Sequence, residues 1–384
     1  MYLIVLIDRL RCDFYVYLLI NTCCIVTALN METVITYDEA DYIFSVPCKN
    51  TFSKFDDIIR SQWNEKLNQN LFRYKLNITK EKFIKNKFYL QLNTDRGVNR
   101  RKPSDISSIN QPFDPSTFNF NKINPDEKLC SLMHKNRPND HGKHAVLINV
   151  SPLEFGHILL VPNLKDNLPQ VLTEEAIKLA VEVILLSKTS FFRFGFNSLG
   201  GFATVNHLHL HGYYLEQCMF LEISPVEEVC NPCYQISNFP SKGFAFQIKC
   251  TEEIDPIVKN VYRLVKFLQT RNIPHNLYIT RGIPFDKTLS NSLLDVLNDE
   301  LPDYHDSRTR TCLRIFVWPR KPSYGCKDTT DLNVATCELF GHLVIKNESQ
   351  YESLNEVDIN NILEDLTSEE FNAVVNHVSQ ILTM

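Results

Sequence analysis

The stretch NHLHLHGYYL, residues 206–215, places His207, His209 and His211 at alternate positions in a chain that has eleven histidines. Rings so spaced can do several kinds of chemistry. One can attack an electrophile while its neighbours hold and polarise a phosphate. The row can share a zinc ion, with outside ligands to complete the tetrahedron. The bland alternative is three core or surface histidines that meet by chance. The preceding FATV is rich in strand formers, and strand side chains alternate between faces. The expected picture is a strand with three imidazoles on one face and Leu208 and Leu210 on the other.

Such a row needs a body to hold it. With 384 residues, 44% of them hydrophobic, the chain can build a large core, and one enzyme body made of two fused halves is expected. The net charge of -5 gives no global basic field for nucleic acid or an anionic membrane, so a small anionic substrate has to meet local donors. Of twelve cysteines, three lie in the first thirty residues; the rest are odd in number and irregularly spaced. That pattern reads as reduced thiols in the cytoplasm and not as a disulfide framework. FYVYLLINTCCIVTAL, residues 14–29, is an apolar run too short for a membrane span, which needs about 20 residues. Residues 1–30 are therefore set apart as a doubtful extension, with a real membrane anchor as the minority reading. An Asn-Val-Ser sequon at Asn149 falls on a strand expected beside the histidine row, where a glycan would obstruct it.

Residues 31–128 should hold a helix and then an ordered loop. Phe52, Phe55, Ile59 and Trp63 keep helical spacing, while residues 91–128 are polar, proline-punctuated and too long for a free loop inside a domain. Arg100, Arg101 and Lys102 in that loop suit a phosphate or a solvated turn equally. In residues 129–225, the histidine-bearing half, HAVLINV and GHILLVP read as strands. Thr173 reads as the N-cap of a helix running to about Ser187, FFRFGF as a third strand and NSLGG as the turn into the histidine strand. Residues 226–384 contain a helix opening at Asp255 and Pro256, strand-like PHNLYITRG, LRIFVWPRK and ELFGHLVIK, and Thr367 with Glu370 as a capping box for a last helix. PHNLYITRG loosely echoes KHAVLINVS without leading to a second histidine row. The fold class is thus α+β, an antiparallel sheet with packed helices in two half-units, the second degenerate. Cys230 and Cys233 have CxxC spacing but no second pair, which favours a structural loop over zinc or redox chemistry. Arg314, Arg320 and Lys321 fit a sugar phosphate or an edge strand equally. His342 is read as structural, and Lys346 is uncommitted.

HLHLH, taken with INVSPLEFGHILLVP and NSLGGFATVN, resembles the His-x-His-x-His signature of the histidine-triad superfamily. More closely, the chain resembles the GDP-D-glucose phosphorylases, relatives of the plant GDP-L-galactose phosphorylases. The resemblance is carried, in order, by QLNTDRGVNRRKP, QPFDPSTFNFNKI, SPLEFGHILLVP, GFNSLGGFATVNHLHLHGYYL, HNLYITRG and GCKDTTDLNVATCELFGHLVIK. It implies cleavage of a GDP-hexose by inorganic phosphate into GDP and the hexose 1-phosphate, with no cofactor and no metal. It implies further that His209 is the nucleophile that carries the guanylyl group, with His207 and His211 flanking it. Asn149 would meet the ribose, His157 would support the row, and Asn197 and Thr204 would lie near the α-phosphate. Gly200 and Gly201 would let the backbone approach that phosphate closely.

The chemistry makes its own demands. An imidazole nucleophile has to be neutral, and its second nitrogen should donate to a backbone carbonyl, for which Asn206 or a neighbouring strand is a candidate. His211 stands where the plant relatives have Gln and the superfamily's hydrolases have His. A nucleotide-sugar or nucleotide hydrolase with water as acceptor therefore stays open, as does a module that binds without turnover.

Overall fold

Runs of alternating or continuous apolar residues become strands, and runs with helical spacing become helices, in a computed structural model that describes residues 32–99, 106–137, 143–285, 308–324 and 332–383. The apolar extension at 1–30 and the cations Arg100, Arg101 and Lys102 lie outside the described residues. In chain order the strands are β1 (Val34–Tyr37), β2 (Lys80–Ile84), β3 (Phe88–Leu92), β4 (Lys128–His134), β5 (His144–Ile148), β6 (Ile158–Val161), β7 (Phe192–Asn197), β8 (Leu210–Tyr214), β9 (Val226–Cys230), β10 (Cys233–Ile236), β11 (Phe244–Ile248), β12 (His275–Gly282), β13 (Cys312–Pro319) and β14 (His342–Ile345). The four long helices are α1 (Lys54–Asn68), α2 (Glu174–Leu186), α3 (Ile254–Thr270) and α4 (Glu356–Val375).

One large sheet has the order β1-β4-β5-β6-β8-β7-β12-β13-β11-β10-β9, and β14, β3 and β2 form a small one. Only β1 runs parallel to its neighbour in the large sheet. Leaving β1 aside, the large sheet has the same plan from either end. A three-strand meander comes first, β4-β5-β6 or β9-β10-β11; a helix follows in the chain, α2 or α3. The two strands after the helix then enter in reversed order, so that β7 and β12 meet at the centre. By place in this plan β12 answers to β7, so the sequence echo that set PHNLYITRG against KHAVLINVS, on β5, joins strands of different rank.

Both faces of the sheet are covered, which is why its central strands read as continuous apolar runs and not as simple alternation. Leu277, Ile279, Ile315 and Val317 pack towards a core that contains Phe55, Ile59 and Trp63 of α1 and the apolar residues of α2 and α3. Their chain neighbours Tyr278, Phe316 and Trp318 pack on the opposite face with β3 and β14. No helix among the described residues is long and apolar enough to cross a membrane.

Local signals set most helix starts. The Ser53 hydroxyl accepts from the Asp56 amide while the Asp56 carboxylate accepts from the Ser53 amide, and Thr173 accepts from the Ala176 amide. Two starts differ from expectation. A 3-10 turn, Thr251–Glu253, leads into α3 at Ile254, so Asp255 lies inside the first turn and pairs with Lys178 at 2.5 Å instead of capping. Helix α4 begins after Asn355, whose side chain accepts from the Val357 and Asp358 amides. Thr367 is therefore in mid-helix, where its buried hydroxyl donates to the Leu363 carbonyl and accepts from the Lys242 amide. A tertiary contact outranks the local capping pattern there.

Strand β13 is interior, which removes the edge-strand reading of its cations. Arg314 is buried and donates to the carbonyls of Ile283, Leu221 and Ser224; Arg320 is buried and donates to the Val334 carbonyl. Lys321 pairs with Asp365 at 2.8 Å. Cys230 and Cys233 oppose each other in the β9-β10 hairpin as thiols.

Candidate active site

Strand β8 starts at Leu210, so of the three histidines only His211 stands on a strand; His207 closes a bend and His209 lies in the short segment that leads into the strand. Phe120 lies against the rings of both His207 and His209, at 5.3 and 5.0 Å. Leu208 and Leu210 do enter the helix-side core. The His209 and His211 rings lie 4.9 Å apart and line a cavity of about 170 Å³. His207 does not line it. Its ring lies 5.3 Å from each of Phe113 and Phe120, and its Nδ1 accepts from the Phe120 amide. Thus Phe113 and Phe120, from the proline-punctuated loop, cover the first histidine.

Where a neighbouring strand would satisfy the His209 backbone, a side chain does so. Gln170, fully buried in the loop before α2, accepts from the His209 amide at 2.9 Å and donates to the His209 carbonyl at 3.1 Å. Its Oε1 also lies 2.9 Å from His209 Nδ1, and the His207 carbonyl lies 2.7 Å from the same nitrogen. Both oxygens can only accept, so the ring proton is on Nδ1 and the lone pair is on Nε2. Burial pushes the His209 pKa down to about 4, which keeps the ring neutral at cellular pH. The expected role of Asn206 falls to the His207 carbonyl; Asn206 acts one step further back, accepting from the Gln170 amide at 2.9 Å.

A backbone donor fixes His211 by way of His157. His157 Nδ1 accepts from the Leu153 amide at 2.9 Å, so a neutral His157 carries its proton on Nε2. That Nε2 lies 3.1 Å from His211 Nδ1, which must then accept, leaving the proton of a neutral His211 on its Nε2. His157 is itself kept neutral, its pKa held well below the ordinary range by burial and then by the Arg96 charge. Asn149 stands beside this pair: its Oδ1 accepts from the Ser151 amide at 3.0 Å, its Nδ2 is 3.2 Å from His157 Nε2, and it lines the cavity.

Asn197 and Thr204 line the same cavity. The Asn197 amide is oriented by donors on its oxygen, Asn276 Nδ2 at 2.6 Å and the Thr336 amide at 2.9 Å, so that its NH2 remains the group that can donate. Gly200 and Gly201 do not line it. Gly200 has φ of +73°, and a Cβ there would come within 2.8 Å of the Tyr324 ring; a Cβ on Gly201 would come within 2.8 Å of the His275 carbonyl. The absence of side chains at these two positions serves the turn and its packing.

The cavity has two unlike ends. Leu147, Asn149 and Ser151 follow one another along it at alternate positions from β5 onward. At Leu147 the walls are apolar, with Phe118, Phe120, Ile123, Leu159 and Val205, and the carboxylate side chain of Glu127. At Ser151 they are cationic: Arg96 donates to the Ser151 carbonyl at 2.7 Å, and Lys346 stands beside it. Arg96, Glu127 and Gln170 escape the sequence reading. Arg96 lies within QLNTDRGVNRRKP, where nothing local sets it apart from Arg100 and Arg101, and Gln170 sits in a loop with no periodic pattern. His342 is buried between Gln91 and Tyr213, at 2.7 and 3.0 Å, and does not line the cavity. Among the described residues no group of three or more His, Cys, Asp or Glu side chains could hold a metal ion.

Two family profiles, described as "GDPGP1-like, N-terminal domain" and "GDPGP1-like, C-terminal domain", match residues 54–213 and 222–384. GDP-D-glucose phosphorylase 1 of Danio rerio is 42% identical over 360 residues, covering 91% of this chain and 99% of that protein. The Homo sapiens protein of the same name is 40% identical, covering 82% of this chain and 79% of its own length. GDP-L-galactose phosphorylase 2 of Arabidopsis thaliana is 28% identical, with 78% and 70% covered. Among solved structures, yeast Ap4A phosphorylase in complex with Ap4A superposes with a TM-score of 0.53 at 13% identity, over 82% of this chain and 97% of that one, which shows a shared fold. Matched by the two profiles over residues 54–213 and 222–384 and by relatives of one name, the chain belongs to the GDPGP1-like family of GDP-D-glucose phosphorylases.

Proposed function

We propose that the protein transfers a guanylyl group from GDP-D-glucose to inorganic phosphate, giving GDP and glucose 1-phosphate by way of a guanylyl-histidine on His209. The observation that carries this reading is the His209 ring: neutral, locked with its proton on Nδ1, and lining the cavity with a lone pair on Nε2. That nitrogen attacks the α-phosphorus in line, the P–N bond forms, and glucose 1-phosphate departs with the bridging oxygen. A phosphate oxygen then attacks the same phosphorus, the P–N bond breaks, and GDP leaves with the ring neutral again. Two displacements divide one difficult step and retain configuration at phosphorus.

Charge that spreads over the phosphate oxygens meets donors already in place, the Nε2–H of His211 and the amide of Asn197. Arg96 suits the β-phosphate and the incoming phosphate, and Asn149 suits the ribose. No step asks for a metal or cofactor. The mirrored order of the large sheet supports two fused half-units, the second without a histidine row. The thiols, with no disulfide among the described residues, support a reducing compartment, the cytoplasm.

Product identification after incubation with GDP-glucose tests the reading. GDP and glucose 1-phosphate should appear only when phosphate is added. GMP released with or without phosphate would make water the acceptor and the protein a hydrolase.

A further inference from the structure

The proposed transfer says what happens at the α-phosphorus and nothing about how the base is chosen. One arm of the cavity is suited to a flat ring, being walled by Phe118, Phe120, Ile123, Leu147, Leu159 and Val205. A purine face is satisfied by such walls, but its polar edge is not, because a buried N–H without an acceptor costs most of its desolvation penalty. Among the described residues that line this end, Glu127 is the one with a charged side chain. The next residue, Lys128, opens β4 in register with Leu147, so Glu127 is fixed to the arm by the sheet itself. Its Oε1 accepts from the Asn124 amide at 3.2 Å and closes a capping box on the turn Pro125–Glu127, which orients the carboxylate.

The order of groups along the cavity fits a nucleotide laid in one direction. Leu147 marks the apolar arm, Asn149 the His157–His211 pair, and Ser151 the Arg96 cation. Base, ribose and phosphates follow that sequence. A carboxylate has only acceptors. Guanine offers it N1–H and the exocyclic N2 amine side by side, hypoxanthine offers N1–H alone, and adenine turns a bare acceptor, N1, towards it.

Resting on the guanylyl-transfer reading, we infer that Glu127 is the specificity-determining residue for the base: its carboxylate accepts from N1–H and N2–H of guanine and rejects adenine. Glu127→Gln keeps the reach and can keep the capping box, so it tests recognition with the turn intact. The measurement is kcat/KM for GDP-, IDP- and ADP-glucose in the wild type, Glu127→Gln and Glu127→Ala. The wild type should rank them in that order. Glu127→Gln should compress the GDP-to-ADP ratio by about 10–100-fold, chiefly through the KM for GDP-glucose, while the ADP-glucose rate holds or rises. An unchanged ratio in Glu127→Gln, or an equal loss on all three substrates in both variants, overturns the assignment. If the wild type turns over none of them, the transfer reading falls, and equilibrium titration with GDP, IDP and ADP decides the carboxylate separately: guanine preference that survives Glu127→Gln overturns it.

Discussion

His157 Nε2 stands 3.1 Å from His211 Nδ1, and the Leu153 amide on the far nitrogen of His157 decides which of the two rings donates. A backbone N–H outside the histidine row thus sets which nitrogen of a neutral His211 carries the proton, the one that the proposed transfer offers to a phosphate. His157→Phe keeps an aromatic ring but leaves the His211 tautomer unset. Its kcat should fall about 10–100-fold with little change in KM. His157→Gln can accept from Leu153 and donate to His211, and should recover part of the loss. Steady-state kinetics of the two variants check this; wild-type kcat in the Phe variant would remove the relay.

His209→Asn should have no measurable turnover and an unfolding midpoint within a few degrees of wild type, because the imidazole lies at a cavity wall. Wild-type protein mixed with GDP-glucose without phosphate should gain the mass of one guanylyl group, and the variant should not. Mass spectrometry of the quenched protein reads both. An adduct on the variant would place the nucleophile elsewhere.

Gln170 touches His209 at its amide, its carbonyl and its ring. Gln170→Met removes all three contacts and should lower kcat about tenfold or more. Gln170→Glu sets a carboxylate against Nδ1–H, and an opposite charge favours the imidazolium. The His209 pKa then rises from about 4, and the acidic limb of the kcat/KM profile moves to higher pH. A limb that stays in place would show that Gln170 only packs.

Burial also ties stability to pH. His209 and His275 are pushed down to about 4, His342 to about 3, and His157 well below its ordinary value. In the unfolded chain each binds its proton near pH 6.5. The unfolded state therefore takes up more protons in acid, so this contribution is whole above about pH 6.5 and is lost as pH falls towards 4. Each ring adds a slope of up to about 1.4 kcal/mol per pH unit within that window. Urea denaturation at pH 7.5, 6.0 and 5.0 should show the midpoint falling steeply; a flat midpoint would mean that these rings are not buried neutral.

What the sequence discloses follows from how local each determinant is. The α1 stripe and the Thr173 cap depend on residues within two turns, and both were legible. The histidine row is plain in the sequence, but what holds it is not, because the partner of the His209 backbone is a side chain 39 residues away. Asp255 and Thr367 look like caps by type and spacing, yet an ion pair with Lys178 and a contact with Lys242 claim them. At the glycines 200 and 201 a Cβ would meet the Tyr324 ring and the His275 carbonyl, neighbours too distant in the chain for the local pattern to name.

Asn276 and Asn197 are register partners across the seam between β12 and β7, joined by a bond of 2.6 Å. A fragment that stopped near residue 221 would keep every histidine of the row and still lose the clamp on Asn197. It would also lay β7 bare, an unpaired edge bearing Phe192, Phe194 and Phe196 that invites another copy to dock on it. The two matched domains are therefore not modules to be borrowed, split or shuffled one at a time. A gene cut between them would yield sticky fragments and not half an enzyme.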